Sequence, residues 1–162
     1  MQSEIAALAP NYQSAIATTS EHYLLLVNFV QSQMRRGTDF GVIPGTNSKP
    51  VLLKAGAEKL CRLFSLRVQF DLIDSLADFS QPLFHYHYRC SLYRRGELVG
   101  QGDGTCNTWE AKYRKQKGRE FDLCNTVCKM AQKRSLIAAV LISCSVSDLF
   151  TQDLIEDDRL EV

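Results

Sequence analysis

The chain lacks an apolar run long enough to cross a bilayer. The longest, "YLLLV" and "LIAAVLI", fall far short of the roughly 20 residues a spanning helix needs. It also lacks a basic leader with a small-residue cleavage site, so its first residues do not read as a secretory signal. Both absences predict a soluble, cytoplasmic protein that makes no membrane contact. Net charge is nearly absent, +1 at pH 7, and the total alone points to no partner. No G-x-x-x-x-G-K-[ST] run occurs. "GVIPGTNSKP" has glycines and a lysine at the wrong spacing, and its prolines remove amide donors that a phosphate cradle uses. No G-x-S-x-G elbow marks a nucleophile. An ATP-driven machine and a hydrolase of that type are therefore disfavoured, and the expectation is a non-enzymatic protein without a cofactor.

Six cysteines are present in 162 residues. Their spacing is irregular, and a chain this long can build a core without staples, so reduced, mostly buried thiols are the expectation. Apolar residues make up 45% and charged residues 23%, which is ordinary for one globular domain. Residues 1–18 are small and polar and read as a flexible arm. Residues 19–150 read as the domain, and residues 151–162 as an acidic tail.

The periodicity changes along the domain. "SEHYLLLVNFVQSQMRR" reads as a helix, with Ser20 at its N-cap and Arg35 and Arg36 near its end before Gly37. "GTDFGVIPGTNSKP" is a loop. "VLLKAGAEKLCRLFSL" reads as a second helix. Leu53, Ala57, Leu60 and Phe64 share one side, and Lys54, Glu58 and Arg62 the other. "LRVQFDLI" and "FHYHYRCSLY" then alternate as strands. In the second, Phe84, Tyr86, Tyr88, Cys90 and Leu92 face one way and His85, His87, Arg89, Ser91 and Tyr93 the other. "RRGE" is a turn, and "ELVGQGDGTCNTW" returns as its hairpin partner. Gly100, Gly102 and Gly104 lie on one face of that return strand, which marks close approach by a helix or a neighbouring subunit. A last helix runs from about Phe121 to Ser143. The expected class is α+β: helices flanking a three-stranded antiparallel sheet with a long hairpin, on a β-β-β-α core.

Charge is distributed unevenly. Between Lys112 and Arg134 stand Lys112, Arg114, Lys115, Lys117, Arg119, Lys129, Lys133 and Arg134, opposed only by Glu120 and Asp122, which leaves +6. From Asp148 to Val162, six acids and one arginine leave −5. A local basic patch is the footprint of a nucleic-acid binder or, more plainly, a wet surface. Tyr93, Trp109 and Tyr113 accompany the basic window. Aromatics among cations suit single-stranded nucleic acid, whereas a lone tryptophan more commonly packs in a core. On the last helix, Leu123, Val127, Met130, Ile137, Ala138 and Leu141 form the buried stripe. Arg134 falls within it, as an internal salt bridge to Asp71, Asp74 or Glu58, or as a phosphate contact.

Cys124 and Cys128 stand one helical turn apart. With Cys90, Cys106, His85 and His87 they are the only zinc candidates, but the spacing matches no zinc knuckle. Cys124, Cys128, Ser135 and Ala139 form a stripe of small residues suited to the glycine face, so packing explains the thiols better than metal. Asp71, Asp74, Asp103 and Glu110 would have to serve a metal-dependent nuclease, and no recognisable spacing supports that.

Two segments, "KPVLLKAGAEKLCRLFSL" and "NTVCKMAQKRSLIAAVL", separated by a strand and a long hairpin, resemble the single-strand annealing proteins. This group comprises phage RecT, Redβ and Erf and the Rad-fifty-two superfamily, and the resemblance covers roughly residues 49–150. It implies an ATP-independent protein of phage or prokaryotic type, acting in DNA recombination and repair. It further implies rings or filaments of self-associated copies, with single-stranded DNA in a basic groove between hairpin and last helix. A single-strand-binding protein or an exonuclease is a further partner it suggests. By position, Lys129, Lys133 and Arg134 would line the groove. Charge alone adds Lys54, Lys112, Arg114, Lys115, Lys117 and Arg119, and Tyr113 joins them as an aromatic. The alternative is a protein-interaction module of a nucleic-acid system on the same fold.

Overall fold

A computed structural model describes residues 2–41, 49–115 and 120–152. The chain divides into two compact units, Met1–Arg35 and Arg36–Val162. The first contains helix α1, Gln2–Gln33. The sequence pointed to a helix beginning at Ser20, and the structure corrects that start. The helix passes through Ser20 and starts at Gln2, and the unit boundary falls after Arg35. Alanines at 6, 7, 15 and 17 sustain the early turns. The Thr19 hydroxyl donates to the Ala15 carbonyl at 2.7 Å, so this polar stretch bonds within the helix instead of capping it.

Near the start of the second unit, Gly37 turns the chain with a φ of +81°, and its N–H donates to the Phe40 carbonyl at 2.8 Å. Strand β1, Phe40–Gly41, then pairs antiparallel with β2, Val51–Leu52. The second helix therefore does not start at Val51. It starts at Lys54 and ends at Leu63 as α2. Gly56, Ala57, Leu60 and Cys61 are its buried side, and Lys54 pairs with Glu58 at 3.4 Å on the exposed side. Beside β2 the chain returns near its described end. Thr151 bridges Val51, and its N–H donates to the Pro50 carbonyl at 2.9 Å.

The expected three-stranded antiparallel sheet is present, as β3 (Arg67–Asp78), β4 (Leu83–Arg94) and β5 (Glu97–Asn107) in that order. Arg95 and Gly96, with φ of 54° and 90°, close the β4–β5 hairpin. β4 alternates as its sequence indicates, with Phe84, Cys90 and Leu92 fully buried on one face. Helix α4, Leu123–Ser143, covers that face and packs on β5 and β4. The fold is α+β with a β-β-β-α core.

Three glycines set the distance between α4 and the sheet. A Cβ at Gly102 would lie 2.2 Å from the Ala139 backbone nitrogen, and one at Gly104 would lie 2.3 Å from that of Ser135. Backbone meets backbone with no room for a side chain on the strand. On the helix the facing residues are also small: Ala131, Ser135 and Ala139 are fully buried. The cysteines of the expected small-residue stripe sit elsewhere. Cys124 and Cys128 face the Tyr86 and Tyr88 hydroxyls at 3.1 and 3.5 Å. Met130 and Ala138, expected in the buried stripe, are only partly covered. Because α4 lies over β5, it leaves edge strand β3 bare, with Val68, Phe70 and Leu72 exposed along it.

Gly102→Ala should destabilise the fold by about 1–3 kcal/mol, because its methyl meets main chain that cannot rotate away. Gly100→Ala should lose less, since its methyl meets only the Ser143 hydroxyl oxygen. Urea melts of the two variants check this, and equal losses would remove the backbone contact as the cause.

Candidate nucleic-acid interface

The site is built where β5 ends. Asn107 turns the chain by accepting the Trp109 N–H on its side-chain oxygen at 2.9 Å. Thr108 is buried. Its hydroxyl donates to the Pro82 carbonyl and accepts from the Phe84 N–H, both at 3.1 Å. The turn swings Glu110 back toward α4 and starts a one-turn helix α3, Ala111–Arg114.

Glu110 is the partner of Arg134. The two guanidinium nitrogens meet the two carboxylate oxygens at 2.6 and 2.8 Å, and one nitrogen also donates to the Thr105 carbonyl at 2.6 Å. Burial pushes the Glu110 carboxyl up, but hydrogen bonds from Arg134 and Cys106, with the charges of Arg134 and Lys112, outweigh it and hold the group at about 2. The internal salt bridge expected for Arg134 exists, although none of the three acids expected to form it takes part. Glu58 pairs with Lys54, and Asp71 and Asp74 lie on β3. Arg134 is thus committed to holding α4, β5 and the turn together, which corrects its placement as a groove-lining phosphate contact. The sequence signal was Glu110 itself, an acid two residues ahead of the basic window.

Near this pair the charges of three lysines from three elements act on one another. Lys112, on α3, lies 3.5 Å from Glu110 and 4.8 Å over the Tyr113 ring. Lys133, on α4, is partly buried. Burial first, then the charges of Lys112, Arg134 and Lys54, push its ammonium below the ordinary lysine value. Among the described residues Lys133 makes no ion pair. Lys54 is the first residue of α2, whose first turn carries no acid and whose N-cap, Leu53, offers no side-chain bond.

The other expected residues are placed as follows. Lys129 is exposed one turn before Lys133, and Arg114 and Lys115 are exposed. Lys117 and Arg119 lie outside the described residues. Tyr113 is 5% exposed, with its hydroxyl 3.8 Å from the Cys106 thiol. It belongs to the core and offers no face for stacking, which corrects the expectation that its ring meets DNA. Trp109 is the reverse case. It is 61% exposed and not in the core. Tyr93 lies at the far end of β4, under the Arg67 guanidinium. An open pocket of about 620 Å³ lies between Gln81, Pro82, Trp109, Tyr113, Arg114 and Leu123.

Among the described residues no three His, Cys, Asp or Glu side chains converge as metal ligands. Cys124 and Cys128 face the α4 side of the sheet, while His87 lies on the other side with Asp103, which Arg89 holds at 2.8 and 3.0 Å. Among the described residues no helix is long and apolar enough to cross a membrane. Comparison with protein-family models, curated proteins and solved structures gives no match.

The depressed Glu110 carboxyl makes the pair pH-dependent in a defined sense. Its contribution is complete above the ordinary value near 4.5 and is lost as pH falls toward about 2. Glu110→Gln should lower stability at pH 7 by roughly 2–4 kcal/mol, because it strands a half-buried guanidinium. It should also flatten the loss between pH 4.5 and 2. Urea melts across that window read both effects, and parallel curves for the two proteins would place the stability elsewhere.

Proposed function

We propose that this protein binds and anneals single-stranded DNA. In this reading it is non-enzymatic, acts without ATP in the cytoplasm, and works as an assembly of identical copies. One observation carries the proposal: partly buried Lys133 on α4 feels the charges of Lys112 and Lys54 from two other elements and, among the described residues, has no carboxylate of its own, whereas Lys54 and Lys112 are paired with Glu58 and Glu110. A fold gains nothing from packing like charges together. A polyanion arriving there would relieve the repulsion and release counterions. Arg134 acts from beneath. Paired with Glu110, it fixes the helix that carries Lys133 without itself touching the nucleic acid. Exposed Lys129, Arg114 and Lys115 extend the cationic surface on either side.

The resemblance to the annealing proteins supports the same reading, since the β-β-β-α order is the one it implies. Self-association has its own support in β3. A twelve-residue edge strand with a bare apolar row is a surface on which another chain can pair or pack.

The double variant Lys112→Gln/Lys133→Gln should bind a labelled single-stranded oligonucleotide much more weakly by fluorescence anisotropy. The slope of log affinity against log salt should fall by about 0.7 for each phosphate that the variant no longer neutralises. Lys133→Met should weaken binding while leaving thermal stability equal or higher, because it removes a partly buried cation from among cations. Unchanged affinity in the double variant would overturn the site.

A further inference from the structure

The pocket beside α3 is not part of the lysine cluster, and its construction points to a ligand of a different kind. Its one large exposed aromatic side chain is Trp109, the only tryptophan in the chain. The backbone on both sides of Trp109 is fixed. Its own N–H is held by Asn107, Thr108 is buried and bonded to the main chain of Pro82 and Phe84 at the start of β4, and Glu110 is locked to Arg134. An indole left 61% exposed on so rigid a mount loses little further freedom when something stacks on it. Pro82, Leu123 and the buried Tyr113 supply apolar lining, and the polar groups lining the pocket are the Gln81 amide, the Thr108 hydroxyl and the Arg114 guanidinium. The Thr108 hydroxyl is already bonded, whereas Gln81 and Arg114 are exposed. Among the described residues no carboxylate lines the pocket. A flat apolar face, a hydrogen-bonding amide and an unopposed cation suit a planar heteroaromatic with a polar edge.

We propose that this pocket takes an unstacked nucleobase, held against the Trp109 indole, with Gln81 and Arg114 meeting its polar edge or the adjoining phosphate. The proposal rests on the reading that the protein binds single-stranded nucleic acid, and it adds the base-holding half of that site. Continuity joins the two halves. α3 is a single turn, with Lys112 on the side of Glu110 and Lys133 and with Trp109 and Arg114 on the side of the pocket. A strand crossing α3 would leave its phosphates on the lysines and present a base to the indole. Stacking tolerates any base, as an annealing protein requires, because every base has a π-face.

The only tryptophan makes the test direct. The full chain is titrated with a twenty-residue oligothymidine and with an abasic oligonucleotide of equal length, reading anisotropy and intrinsic fluorescence together. Both ligands should bind, but only oligothymidine should quench Trp109. Trp109→Ala should weaken oligothymidine binding roughly 5- to 150-fold and leave abasic binding unchanged. Trp109→Phe, which keeps a ring, should retain most of the affinity. Circular dichroism of each variant confirms the fold. Binding of both ligands with unaltered fluorescence and an indifferent Trp109→Ala would overturn the pocket and leave single-strand binding standing. Binding of neither ligand would overturn both.

Discussion

The main chain of α4 rests on the main chain of β5, and the rest of the second unit depends on that approach. Gly100, Gly102 and Gly104 leave the strand without side chains on one face, and Ala131, Ser135 and Ala139 are small enough to fill the gap from above. The helix therefore sits nearer β5 than larger side chains would allow. From there Arg134 reaches both the Thr105 carbonyl and the Glu110 carboxylate, and Lys133 comes within range of the charges of Lys112 and Lys54. The same offset leaves β3 beyond the cover of α4. One packing constraint thus fixes the position of the charges and the bareness of the sheet's edge.

The charges divide into two kinds. Glu110 and Arg134 are bidentate, partly buried and mutually satisfied, and such a pair specifies an arrangement more than it adds net stability. Breaking it from one side leaves an uncompensated charge. The lysines gathered near it are not all satisfied in this way. Their mutual repulsion is a standing disadvantage that the folded state accepts, which is why the cluster, and not the salt bridge, carries the functional reading.

Much of the fold was legible from residue order because it depends on local periodicity. The alternation of "FHYHYRCSLY" fixed the two faces of β4, the "RRGE" turn fixed the hairpin, and the glycine spacing announced a close neighbour before that neighbour was known. What escaped reading were properties set between distant residues. Arg134 has the same sequence context whether it bonds Asp71, Asp74, Glu58 or Glu110, and only the register of α4 on β5 selects Glu110. Trp109 and Tyr113 stand four residues apart in the same polar stretch, yet one is exposed and the other buried. An Asn107-directed turn and a one-turn helix decide which way each points, and neither has a strong sequence signature. The start of α1 was not legible because Ser20 suits an N-cap better than a helix interior, and nothing local signals that the helix runs through it.

The return of the chain to β2 brings its last described residues back to the strand that precedes Lys54. Thr151 is hydrogen-bonded to the strand that leads into Lys54, and the Gln152 side chain donates to the Arg134 carbonyl at 3.2 Å. The following residues, 153–162, carry five acids and one arginine. Chain length alone keeps those carboxylates within about 35 Å of Gln152, a tether short enough to hold whatever charge it carries at a roughly millimolar effective concentration near its anchor.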